Sequence, residues 1–139
     1  MHDPKIIPVC CALIEHKGKV LIAQRNSRVS NANHWEFPGG KQEKSETAEE
    51  CLIREIREEL SITIVINGKL EPVIHHYPDK SIALIPFICN YSGGKVNPEE
   101  HKKILWVDPK EFPEFKWSGA DIKIWEQYLE KVNKKTGID

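Results

Sequence analysis

The sequence predicts an α+β chain folded as one domain, and three observations carry that prediction. Several β-branched or alternating apolar runs are bounded by Gly, Pro, Asn and Asp turn signals. Two amphipathic helix patterns are set among them, one after Thr47 and one after Ser118. The 139 residues suit a single core, and no linker, repeat or low-complexity tract divides them.

Taken in order, residues 9–14 (VCCALI) read as a strand buried on both faces, with Cys10 and Cys11 pointing to opposite sides. Residues 15–19 form a turn, and residues 20–23 are the hairpin partner. Residues 25–33 are polar and without period, a loop that opens with Arg25. Pro38-Gly39-Gly40 then punctuates the chain, its glycines permitting a positive φ and a close backbone approach.

Thr47-x-x-Glu50 has capping-box spacing, so the first helix starts at Thr47. At about 100° per residue, Ala48, Leu52, Ile53, Ile56 and Leu60 form one apolar arc. Glu55, Glu58 and Glu59 fall on the adjoining arc. The helix is therefore expected to hold its carboxylates at the edge of its core contact, where a cleft would lie.

Residues 62–66 are a β-branched strand ending at the turn dipeptide Asn67-Gly68. Residues 70–77 and 81–91 read as strands joined by Pro78-Asp79-Lys80. His75 and His76 face opposite ways there, which suits strand surface positions better than a shared metal. Ser92-Gly93-Gly94 turns the chain, residues 95–103 are polar, and residues 104–107 are the last strand. A second helix opens at Ser118-Gly119 and carries the stripe Ile122, Trp125, Leu129 and Val132.

Composition narrows the function. A formal net charge of -1 supplies no bulk attraction to nucleic-acid polymers or anionic membranes. No apolar run approaches the roughly 20 residues needed to span a bilayer. The N-terminus lacks signal-peptide layout. Cys10, Cys11, Cys51 and Cys89 contain no C-x-x-C pair, so reduced, buried thiols in a cytoplasmic protein are expected. Monomer and homodimer are both compatible with this pattern.

The chemistry is concentrated in the acidic helix. Carboxylates at i, i+3 and i+4 repel one another unless a cation or proton compensates. Mg2+ or Mn2+ prefers such oxygen donors and shares its sphere with phosphates. A backbone carbonyl from Gly39-Gly40 is a further candidate ligand. Arg54 adjoins Glu58 at i+4 and is placed to orient it. The alternative is a solvated, charge-laced helix with Glu50–Arg54–Glu58 pairing and no site.

The stretch over residues 35–62 resembles the Nudix box, G-x5-E-x7-R-E-U-x-E-E-x-G-U, where U is bulky and apolar. Gly40, Glu46, Arg54, Glu55, Ile56, Glu58, Glu59 and Ile62 fall on pattern. The departure is Ser61, which stands where the box has the glycine that ends the helix. The segments AQR, WEFPGGK, YPDK and LWVDP extend the resemblance over almost the whole chain, toward the MutT and CTP pyrophosphohydrolase-like branch.

That resemblance implies an α/β/α sandwich, a mixed β-sheet between helices. It implies hydrolysis of a nucleoside triphosphate to a monophosphate and pyrophosphate with Mg2+ or Mn2+. The products of interest are those of oxidised nucleotides such as 8-oxo-dGTP, or of CTP-type pyrimidines. Another nucleoside diphosphate-X substrate is the rival within the fold, and a non-catalytic nucleotide sensor is the rival outside it.

Carried over by position, Glu55, Glu58, Glu59 and the Gly39 carbonyl are implied metal ligands. Glu100 matches a late loop glutamate that binds metal or activates water, with Glu99 as its substitute if the loop shifts by one. Glu55 and Glu100 are both candidates for the general base. Arg25 and Lys80 match phosphate-contacting basic positions, and Phe37 lies near the nucleotide pocket. Asp121 aligns with the residue that reads the base edge. Ser118-x-x-Asp121 is also a capping-box-like spacing, so Asp121 has two possible duties.

Overall fold

The computed structural model describes residues 5–26, 32–97 and 101–136. Its centre is a parallel pair, β1 (Ile6–His16) beside β7 (Lys80–Gly94), in register from Ile6 opposite Ser81 to Glu15 opposite Asn90. On one side β7 pairs antiparallel with β5 (Ile62–Lys69) and β6 (Val73–Tyr77). On the other, β1 pairs first with β4 (Gly39–Lys41) and then with β2 (Lys19–Arg25). β2 in turn holds β3 (Trp35–Glu36) and β8 (His101–Val107). One parallel pairing among antiparallel ones makes the sheet mixed.

Alternation along β1 shows how the layers form. Cys10, Ala12 and Ile14 join one buried cluster with Cys51, Leu52, Ile56 and Leu60 of α1 (Ala48–Leu60). Cys11 and Leu13 join another with Ala120, Ile124 and Tyr128 of α2 (Gly119–Thr136). Successive strand residues point to opposite faces, so α1 and α2 cover opposite faces of the sheet. This is the α/β/α sandwich expected. Among the described residues no helix is long and apolar enough to cross a membrane.

Helix α1 begins as predicted. Thr47 caps it by accepting from the Glu50 amide, and the Glu50 carboxylate accepts in return from the Thr47 amide. Its buried face differs from the expected arc, because Cys51 is fully buried and Ile53 is 45% exposed. The arc is rotated toward Glu59, which is buried. In α2 the buried line is Ala120, Ile124 and Tyr128, with Trp125, Leu129 and Val132 flanking it and Ile122 exposed. Ser61 ends α1 with φ 60 and ψ 28, so the serine adopts the left-handed cap that the box glycine would.

Three expected turns are not turns. β5 continues through Asn67-Gly68 to Lys69, and the register steps from Ile66 opposite Cys89 to Gly68 opposite Ile88. Asn67 is thus the extra residue of a bulge. β7 likewise runs through Ser92, with Gly93 opposite Thr63 and Gly94 opposite Ile62. Gly39 and Gly40 form β4 instead of a positive-φ turn. In each case pairing with a long neighbouring strand outweighs the local turn preference. β8 also starts earlier than expected, at His101, because its pairing with β2 extends to Arg25.

Candidate active site

β1 changes partner along one edge, from β4 over Val9–Cys11 to β2 at Glu15–His16. A cleft of about 420 Å3 lies along the β4 stretch. Gly39, Gly40, Lys41 and Glu59 line one part of it, and Phe37, Ser118 and Asp121 another. Arg25, Glu36, Tyr77 and Lys80 also reach it.

Gly39 and Gly40 are there for space. A Cβ on Gly39 would stand 1.9 Å from the Cys10 carbonyl oxygen, so only glycine lets β4 lie this close to β1. A Cβ on Gly40 would stand 2.3 to 2.6 Å from the carbon and oxygens of the Glu55 carboxylate. That carboxylate fills the room the missing side chain leaves.

Arg54 organises the acidic face. It grips Glu46 with two nitrogens, at 2.6 and 3.0 Å, and donates to Glu55 at 3.0 Å and Glu58 at 3.1 Å. It also donates to the Lys41 carbonyl. Hydrogen bonding to Arg54 holds Glu46 down to about 2, and Glu46 in turn pushes the Arg54 guanidinium further up. Two carboxylates of the box, Glu55 and Glu58, are therefore gathered by Arg54, while Glu59 is 9% exposed on the cleft wall.

Among the described residues no three His, Cys, Asp or Glu side chains already converge as a metal-ligating group. The donor chemistry nonetheless fits a hard divalent cation. Every candidate is oxygen, and Glu55 sits in a cradle that a Gly40 side chain would fill. Glu100 and Glu99 lie outside the described residues.

The other half of the cleft is built around Asp121. Its carboxylate oxygen Oδ1 accepts from the Phe37 amide at 3.0 Å, across 84 residues of sequence, and the residue is 6% exposed. Phe37 is itself held by Phe112 and Trp117. Burial first, and then the neighbouring Glu36 carboxylate, push Asp121 well above the usual carboxylate range. The capping-box reading of Ser118 and Asp121 is not realised: the Ser118 amide donates to the Trp35 carbonyl instead.

The raised pKa has a consequence for stability. The contribution of the protonated acid is complete below its ordinary value of 3.8 and is lost as pH rises through the folded value. Asp121→Asn does not titrate, so the variant gains on the wild type above pH about 4, by at most about 1.4 kcal/mol per pH unit. Urea denaturation across pH measures this, and a difference that stays flat would refute it.

Of the predicted contacts, Arg25 reaches the cleft but bonds Glu36 through Nη1 at 2.6 Å. Lys80 is exposed at the cleft rim, opposite Tyr77 in the β6–β7 hairpin. Four residues were not foreseen: Glu36, Tyr77, His101 and Ser118. His101 bonds the second Glu36 oxygen at 3.0 Å with its ring 5% exposed. The signal for Glu36 was an acid between Trp35 and Phe37, both apolar. His101 gave none, since it sits in a charged run that reads as solvated loop.

A family model described as NUDIX domain matches residues 9–127. The chain belongs to the Nudix family. CTP pyrophosphohydrolase of Escherichia coli (strain K12) is 33% identical over 125 residues, 90% of this chain and 93% of that protein. An 8-oxo-dGTP diphosphatase of Proteus vulgaris is 39% identical over 89 residues, 63% of this chain and 80% of that protein. The crystal structure of a MutT protein from Methanosarcina mazei Go1 superposes with a TM-score of 0.83 at 27% identity, covering 96% of this chain and 99% of that one. As a Nudix hydrolase, the chain acts on pyrophosphate bonds.

Proposed function

We propose that this Nudix hydrolase converts nucleoside triphosphates to monophosphates and pyrophosphate, using Mg2+ or Mn2+. The observation that carries the reading is the single cleft that joins the Gly39-Gly40-Glu59 wall to the Phe37-Asp121 wall. One end is suited to a polyphosphate and metal, the other to a base. The similarity to a CTP pyrophosphohydrolase and an 8-oxo-dGTP diphosphatase supports the same substrate class.

Glu55, Glu58, Glu59 and the Gly39 carbonyl would hold the metal, with Glu100 added from its loop. When bound, the metal neutralises the phosphates, polarises the phosphorus and lowers the pKa of a coordinated water. Arg54 orients Glu55 and Glu58 through its guanidinium. Lys41, Lys80 and Arg25 supply positive charge along the cleft to the phosphate chain. Glu55 or Glu100 takes the proton of the attacking water as general base. Phe37 and Tyr77 border the base, and Asp121 meets its edge.

The test is an incubation with Mg2+ and a panel of normal and oxidised (deoxy)nucleoside triphosphates, dinucleotides and ADP-ribose, with the released products identified. A monophosphate with pyrophosphate is expected, and chelation should stop turnover. Orthophosphate as the product, or turnover of dinucleotides alone, would overturn the proposal.

A further inference from the structure

The first turn of α2 carries two side chains that decline the usual helix-capping duty. Serine before a helix normally turns its hydroxyl onto the free amides of the first turn. Here Ser118 precedes α2 at Gly119, and its Oγ is buried without a hydrogen-bond partner among the described residues. The residue is 5% exposed and lines the cleft beside Asp121. Its main chain is already fixed at both ends. The amide donates to the Trp35 carbonyl at 2.9 Å, and its carbonyl accepts from the Asp121 amide at 3.0 Å.

A buried hydroxyl without a partner costs about 1–3 kcal/mol of desolvation. Such a group recurs where a ligand completes the hydrogen bond. Asp121 fills one of its two oxygens with the Phe37 amide, which leaves the other oxygen for the cleft. Burial keeps that carboxyl protonated, so it presents an O–H donor. The Ser118 hydroxyl beside it is free to accept.

Donor and acceptor side by side match a base edge on which a ring nitrogen acceptor adjoins an exocyclic amino group. Cytosine and adenine have that amidine edge. Uracil and guanine carry an N–H at the ring position, which would face the acid's own proton.

We propose that Ser118 is a specificity-determining residue, its hydroxyl accepting from the exocyclic amino group of an amidine-type base whose ring nitrogen faces Asp121. The inference rests on the nucleotide reading above and deepens it. It assigns base choice to two neighbouring side chains at the start of α2.

The test compares wild type with Ser118→Ala on CTP, ATP, UTP and GTP, measuring kcat/KM for each. The wild type should favour CTP or ATP, and the two arms show which amidine base the pocket takes. Ser118→Ala should lower kcat/KM on the favoured nucleotide about tenfold, because a site built to bond an amino group loses its partner. The ratio over UTP and GTP should narrow by the same factor. Thermal unfolding supplies the second readout. Loss of a hydroxyl with no partner should leave Tm unchanged or slightly raised.

A fall in Tm with all four nucleotides affected equally would make Ser118 a helix cap and overturn the proposal. An unchanged base ratio in a variant that still turns over triphosphates would overturn it alone. A wild type that hydrolyses no triphosphate would overturn both this and the reading beneath it.

Discussion

Glu58→Gln should lower kcat by at least about a hundredfold while the protein stays folded. The magnitude follows from the several kcal/mol that a well-held metal contributes to phosphoryl chemistry, each 1.36 kcal/mol being about tenfold in rate. The fold should survive because the Glu58 side chain is 58% exposed and its one printed ion pair is the helix-surface bond to Arg54 at 3.1 Å. An exposed i,i+4 pair is worth only about 0.3–0.5 kcal/mol. Steady-state kinetics, Mn2+ titration and thermal unfolding together read the outcome. Full activity with undiminished Mn2+ affinity would remove Glu58 from the metal site.

The two glycines of β4 should separate stability from activity. In Gly39→Ala the new methyl meets backbone, the Cys10 carbonyl oxygen at 1.9 Å, and backbone in a paired strand has nowhere to go. A loss of about 3 kcal/mol or more is expected, at the upper end of what overpacking costs. In Gly40→Ala the methyl meets the end of a flexible side chain, the Glu55 carboxylate at 2.3 Å. That carboxylate swings away, so the variant should fold but lose most of its turnover. Denaturation and kinetics on both variants decide the matter. Equal stability losses would show that Gly40, like Gly39, is needed only for strand pairing.

Much of the α1 half was legible because its signals are local. A capping box spans three residues, the three glutamates lie within one helical turn and a half, and the box spacing covers a single strand-loop-helix unit. Cys10 and Cys11 were placed on opposite faces by the period of a strand alone. The misreadings share a cause. Asn67-Gly68 and Ser92-Gly93-Gly94 are good turn sequences, yet β5 and β7 pair across both as bulges. Ile53 and Ile122 are apolar and at helical spacing, yet the faces that meet the sheet are centred elsewhere.

By itself, then, the sequence determined the α+β class, the capped acidic helix and the identity of the glutamates that carry its charge. These depend on neighbours a few residues apart, whose relations the chain geometry sets. Only the tertiary structure decided that Arg54 would gather Glu46, Glu55 and Glu58, with Glu59 set into the cleft wall. It alone brought Asp121 to the Phe37 amide and left the Ser118 hydroxyl facing the same cavity. Those contacts join segments far apart in the chain, so they exist only once both helices are docked on the sheet.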